Sequence, residues 1–333
     1  MRSTCALYID TGYLLASVAT RVTGTSLRSG INVDYAALIR SLVAAAEARC
    51  GLPILRVHWY DSARDGVADR QQERIGELPK VKLRLGRFGV NGEQKGVDLR
   101  IGLDLVAHAR NGASDVFFLV SGDDDLTEAV EEAQMHGVQV VVLGVPNSAG
   151  RPHGVSRHLI RAADDLDTID GACVDVAVVK VDRPAPPAPP ALTAPPAAPV
   201  PTVESPRPAV RTPLDLAGRQ RIQEPPRPQS VPVYSVSSGA PAQAPPEYID
   251  TDTDVPSEQD RVIDDVVARV LASFRESATA DELLDLRRAR PYIPPAIDRA
   301  LLLDASEATE KYDLDEGIRY RLRSRFWEIH VAR

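Results

Sequence analysis

Proline placement limits what this chain can fold into more than any other feature. Of the 27 prolines in 333 residues, 20 lie between positions 183 and 256, in stretches such as PAPPAPPALTAPPAAPVP and EPPRPQSVPVY. Each proline fixes its own φ and donates no backbone hydrogen bond, so neither a helix interior nor a central strand tolerates such a density. The tract also lacks hydrophobic periodicity and cannot bury enough apolar surface to offset the entropy of ordering it. A disordered, partly polyproline-II linker is therefore expected over 183–257. It separates an expected domain at 1–182 from a smaller helical one at 258–333. Polyproline-II segments also serve as docking motifs, so a protein partner on the linker stays open.

The composition of the whole chain excludes several classes. The hydrophobic fraction of 44% suits a globular protein, and a formal net charge of -8 argues against a generally cationic nucleic-acid coat while allowing a local basic face. Cys5, Cys50 and Cys173 stand far apart, without a CxxC pair or a histidine at metal-ligand spacing. They read as buried thiols in a reducing compartment, not as a zinc site or a disulfide framework. The N-terminal MRSTCALYIDTGYLL reaches an aspartate too soon for a signal peptide, and no apolar run approaches the ~18 residues of a membrane span. A soluble, cytoplasmic protein with no membrane partner is expected.

Within 1–182, apolar runs between turn signals predict strands at CALYI, ILRVHWY, KVKLRLGRF, VFFLV and VQVVVLGV. Helical periodicity falls between them, at YAALIRSLVAAAEARCG, around residues 67–78, at VDLRIGLDLVAHARNG and at DLTEAVEEAQMHG. SRHLIRAAD adds a last helix, and the apolar run VDVAVV closes the domain. Strands alternating with helices predict an α/β/α sandwich around a mostly parallel sheet.

The stretch VFFLVSGDDDL then stands out, because it sends three adjacent aspartates off the end of a buried strand. Part of this is helix chemistry: Asp125 with Glu128 matches a capping box, and acids suit the positive end of a helix dipole. Three acids exceed what a cap needs. In open α/β sheets ligands bind beyond the carboxyl ends of the strands. Asp10 follows the first strand, Asp123 to Asp125 follow a later one, and Asp98 lies near the start of a helix on that side. Carboxylates converging at one rim suit hard cations such as Mg2+ or Mn2+, which activate water and stabilise a leaving oxygen in phosphodiester hydrolysis. The six histidines form no cluster in the sequence, and none is assigned to catalysis.

The ordered set IDTGY at 9–13, QKGVDLRIGLDL at 94–105 and LVSGDDDLTEAVEEAQMHGVQVVVLG at 119–144 resembles the NYN domain, a branch of the PIN-like metal-dependent ribonucleases. The resemblance covers roughly residues 4–170. It implies that Asp10, Asp98, Asp123 and Asp125 are the catalytic, metal-binding acids, with Asp124 at the variable position and pointing outward. Asp104 matches a further family acid; about 120° around the helix from Asp98, it is a supporting residue, as is Ser121. Two positions depart from the family pattern. Tyr13 stands where an asparagine is common after the first strand, which bears on substrate positioning and rate, and Leu126 replaces a common phenylalanine.

RNA, the partner this implies, needs cations along its path. KVKLRLGR alternates Lys80, Lys82 and Arg84 with apolar residues, and Lys95 directly precedes the KGVD glycine. Lys95, Lys82 and Arg84 are therefore substrate-binding candidates, against the alternative that the basic strand merely protects an edge. Tyr13 is a candidate for stacking on a base, with a buried packing role as the alternative. Beyond residue 258, one stripe (Ile263, Val267, Val270, Phe274) and another (Ile318, Leu322, Phe326, Ile329) predict a small helical bundle, with a capping box at Thr279 and Glu282. Arg319, Arg321, Arg323 and Arg325, with Tyr320 and Trp327, either face RNA or pair with Asp313, Asp315 and Glu316. A protein partner on these helices and a homo-oligomer stay open.

Three functions compete. The first is an Mg2+- or Mn2+-dependent endoribonuclease. The second is a catalytically weak RNA-binding or scaffold protein. The third, an aspartate-nucleophile phosphatase, lacks the second acid of a D-x-D motif, because Gly12 stands there.

Overall fold

The computed structural model describes residues 3–63, 66–88, 94–182, 258–309, 311 and 314–331; the linker expected at 183–257 lies outside them. Nine strands and eleven α-helices follow in chain order among these residues. They begin β1 (Cys5–Asp10), α1 (Thr11–Thr23), β2 (Ile31–Val33), α2 (Tyr35–Cys50), β3 (Ile54–Ala63), α3 (Arg70–Gly76), β4 (Val81–Phe88), β5 (Gln94–Lys95) and α4 (Val97–Arg110). Then come β6 (Val116–Val120), α5 (Thr127–Met135), β7 (Gln139–Gly144), α6 (Arg157–Ala162), β8 (Asp165–Thr168), α7 (Gly171–Ala177) and β9 (Val178–Lys180). The chain ends with α8 (Glu258–Ser277), α9 (Ala280–Ala289), α10 (Pro295–Thr309) and α11 (Glu316–Val331).

Seven strands form one sheet in the order β5-β4-β3-β1-β6-β7-β8, parallel throughout except for β5 against β4. β1 and β6 are buried along their whole length, which is why their sequences read as continuous apolar runs and not as alternation. Their side chains still divide by face. Leu7, Ile9, Trp59 and Phe118 pack with Leu14, Val18, Leu38 and Leu42 of α1 and α2. Tyr8, Tyr60, Phe117 and Leu119 pack with Ile101, Leu105 and Val130 of α4 and α5. Helices on both faces of a mostly parallel sheet are the sandwich the element order predicts.

Several elements escaped the apolar pattern. The helix α1 is absent from it, although Asp10 caps its start and Gly24, at φ 79°, ends it in the left-handed conformation. VDVAVV is no single closing element: it divides between α7 and β9, which pairs antiparallel with β2. The short edge strand β8 is acidic (DLDT) and carries no apolar signal.

The C-terminal helices belong to the same compact unit as the sheet. Their core holds Ile263, Val267, Val270, Phe274, Ile318, Leu322 and Phe326, and also Leu27 from the loop after α1. The side chain of Thr279 and that of Glu282 form the capping box of α9. Buried Asp304 of α10 accepts a hydrogen bond from the Ser26 N–H at 2.9 Å. Gly30 lies close under α8, where a Cβ would stand 3.1 Å from Ser273 Oγ. Among the described residues no helix is long and apolar enough to cross a membrane. Cys5 is buried, whereas Cys50 and Cys173 are partly exposed, so only one of the three thiols is the core residue expected.

Candidate active site

Sheet order brings the acids to one rim. β1 lies between β3 and β6, with Asp10 opposite Tyr60 and Ile9 opposite Val120, so Asp10 and the chain leaving β6 emerge side by side. Asp10 is nearly buried and caps α1, accepting from the Gly12 N–H at 2.8 Å. Fully buried Ser121 ties the two strand ends together: its Oγ donates to Asp10 Oδ2 at 3.4 Å and accepts from the Asp123 N–H at 3.2 Å. Asp123 in turn accepts from the Asp125 N–H at 3.0 Å and caps the single 3-10 turn before α5. The cap is therefore Asp123, not Asp125: α5 itself has no side-chain cap. Asp98 enters from the first turn of α4, which starts at Gly96 (φ 79°) without a side-chain cap.

Charge couples the four acids. Burial, and then the Asp98 charge, pushes the Asp10 carboxyl up to about 7, against the smaller opposing effects of the Gly12 N–H and Arg28. Burial also raises Asp98, with Asp123 and Asp125 adding to the rise. Each acid thus sits in the field of another. Among the described residues, no three His, Cys, Asp or Glu side chains stand close enough together to hold an ion as placed. The acids share a rim and a field without forming a coordination sphere. The four acids offer carboxylate oxygen alone, the donor type that suits a hard divalent cation.

The remaining predicted residues have varied placements. Asp124 turns away from Asp10, accepting from the Ser156 hydroxyl and pairing with His158 Nδ1 at 3.2 Å. Asp104 accepts from the Tyr60 hydroxyl at 2.9 Å and pairs with Arg84 at 3.0 Å, so it serves the packing of α4 on β3 and β4. Arg84 is correspondingly committed to a carboxylate. Lys82 is exposed on β4. The backbone of Lys95 lies in β5, but its side chain falls outside the described residues. Tyr13 takes the packing role: its hydroxyl donates to the His153 carbonyl at 2.7 Å and accepts from the Val145 N–H at 3.2 Å, holding the loop after β7 over the site. That loop approaches so closely that a Cβ on Gly122 would stand 2.0 Å from the Gly154 carbonyl oxygen. The glycine of SGD is required by close approach.

Sequence reasoning missed a second set of residues at the rim. Asp61 follows the apolar run ILRVHWY, but β3 continues through it to Ala63. Burial raises its carboxyl, while Gln72 Nε2, donating at 2.8 Å, and the Ser62 N–H oppose the rise. The rule that selected Asp10, an acid directly after a strand, would have found it. Arg28 donates from Nη2 to the Gly12 carbonyl at 2.8 Å, beside Asp10; no local pattern marks it. Away from the rim, His58 and His108 meet as a tilted pair with ring centroids 4.6 Å apart, although nothing in the sequence clusters them. Burial lowers His58 to about 3, consistent with a neutral packed ring.

Three arginines of α11 pair with acids of α8 and α10 rather than with the acids just before them. Arg321 meets Asp260, Arg323 meets Asp298 at 2.8 Å and Arg325 meets Asp264, all from α8 and α10. Of the acids expected to take them, Asp313 lies outside the described residues and Asp315 caps the following turn by accepting from the Ile318 N–H.

The NYN domain family matches residues 4–170, half of the chain. This chain belongs to the NYN domain family. The NYN match covers the seven-stranded sheet and all four rim acids and ends before β9, leaving the C-terminal helices outside it. The chain is also 42% identical over 79 residues to the uncharacterized protein y4oD of Sinorhizobium fredii (strain NBRC 101917 / NGR234). That likeness spans 24% of this chain and 37% of y4oD, well short of two thirds of the relative's length. The NYN domain places the chain in a nuclease-like, PIN-like family.

Proposed function

We propose that the chain is a divalent-metal-dependent endoribonuclease in which Asp10, Asp98, Asp123 and Asp125 hold Mg2+ or Mn2+. The observation that carries this reading is the buried Asp10 carboxyl, raised to about 7 at a rim it shares with three further acids. A carboxylate in that position gains most from a bound cation. Such an ion supplies an acidified water and neutralises charge at a scissile phosphate. The chain itself supplies the orientation. Ser121 fixes Asp10 relative to the Asp123 turn, Gly12 and Tyr13 hold the start of α1, and exposed Lys82 offers charge to the RNA backbone.

Tyr13 favours a second reading, an RNA-binding protein of weak activity. Its hydroxyl is spent on the loop after β7, and it stands where an asparagine is common in the family. One experiment separates the two. Purified full-length protein is incubated with mixed-sequence RNA in Mg2+, in Mn2+ and in EDTA, beside Asp98→Asn and Asp123→Asn. Cleavage that needs the ion and both carboxylates supports the nuclease; RNA bound but left intact by wild type in either ion supports the weak binder.

A further inference from the structure

The helices outside the NYN match reach the acidic rim through a short chain of contacts. Asp304 of α10 accepts from the Ser26 N–H at 2.9 Å, and the Ser26 hydroxyl donates to the Ala300 carbonyl at 3.4 Å. Leu27 is buried among the C-terminal helices. The next residue, Arg28, donates to the Gly12 carbonyl, and the Gly12 N–H donates to Asp10. Arg299, half-buried, precedes Ala300, whose carbonyl holds Ser26 two residues before Arg28, and after burial its charge is the largest influence on that guanidinium.

These two arginines differ from those of α11. Among the described residues neither Arg28 nor Arg299 makes a carboxylate ion pair, whereas Arg321, Arg323 and Arg325 each do. Asp10 and Asp61 act on Arg28 only at longer range and offset part of its charge. Two partly desolvated guanidiniums whose charges act on each other repel, and an anion with several acceptor oxygens relieves that repulsion. Phosphate matches the planar donor fork of arginine.

We propose that Arg28 and Arg299 together grip a phosphodiester of the RNA strand beside the carboxylate rim, so that α10 completes the substrate path of the NYN domain. The identity of the ligand rests on the ribonuclease reading above; the cation pair itself does not.

The test is fluorescence anisotropy of full-length protein with labelled single-stranded RNA in EDTA, titrated across salt concentrations. Arg299→Gln is expected to weaken binding roughly tenfold and to lower the slope of log affinity against log salt by about 0.7, the loss of one single-strand phosphate contact. Arg299→Lys, which keeps the stem and the charge, should retain the slope while losing part of the affinity, and it serves if the glutamine variant misfolds. A double Arg321→Gln, Arg323→Gln variant should bind like wild type. Unchanged affinity and slope in Arg299→Gln, or a lysine variant identical to wild type in affinity, overturns the proposal. Wild type that binds RNA by Arg299 but cleaves none removes the nuclease reading alone. Wild type that cleaves while ignoring Arg299 removes this inference alone, and wild type that binds no RNA removes both.

Discussion

Replacing Asp10 by asparagine should stabilise the metal-free protein at pH 8. The carboxyl moves from its ordinary 3.8 to about 7 on folding, chiefly because burial disfavours its charged form. Between those values the folded state keeps a proton that the unfolded state has released, so stability falls as pH rises through this window and the full cost stands above pH 7. The rise corresponds to about 4 kcal/mol at most, and relaxation around the charge reduces what is measured to about 2–4 kcal/mol. Asparagine removes the charge while keeping the local bonds. Its Oδ1 still accepts from the Gly12 N–H, and its amide faces the Ser121 hydroxyl. Urea denaturation in EDTA should therefore show Asp10→Asn more stable than wild type at pH 8, and thermal unfolding a melting point higher by about 5–10 °C. At pH 5 the gap should shrink to less than half. Adding Mn2+ at pH 8 should stabilise wild type and not the variant. A variant less stable than wild type at pH 8, or a gap equal at both pH values, would refute the claim that Asp10 is a strained carboxylate.

Three further outcomes follow from contacts around the site. Tyr13→Phe leaves the His153 carbonyl and the Val145 N–H without their partner and should cost about 1–3 kcal/mol in urea denaturation; a neutral result would mean the loop is not held by the phenol. Gly122→Ala drives a methyl into the Gly154 carbonyl, and the Ser156 N–H bond to the Gly122 carbonyl at 3.0 Å ties the two segments together. This variant should lose at least ~2 kcal/mol by thermal unfolding, and wild-type stability would contradict the close approach. Asp304→Ala orphans the buried Ser26 N–H at a cost of about 1–3 kcal/mol. Limited proteolysis should then cut within 258–331 faster than in wild type, and an unchanged digestion pattern would argue against this anchor.

Local sequence pattern determined much of the fold: the alternation of strands and helices and the acids placed directly after strands in the NYN domain, and the apolar stripes of α8 and α11 beyond it. Each is set within a few residues, by the periods of 2 and 3.6 and by the chemistry of turns and caps. The lower hydrophobicity of DLDT and the divided run VDVAVV show where that signal fails, because an edge strand or a short helix-strand junction needs little apolar surface. Only the tertiary structure decided which strands are neighbours, and with them the meeting of Asp10, Ser121 and Asp123. It also decided that Tyr13 holds a loop 140 residues away and that the α11 arginines answer acids 61 residues upstream on α8 or 25 upstream on α10. Arg28 beside Asp10, with α10 behind it, has no local signature at all. Such pairings depend on which buried faces pack together, and hydrophobic packing is non-directional, so a periodic stripe records that a face is covered without recording what covers it.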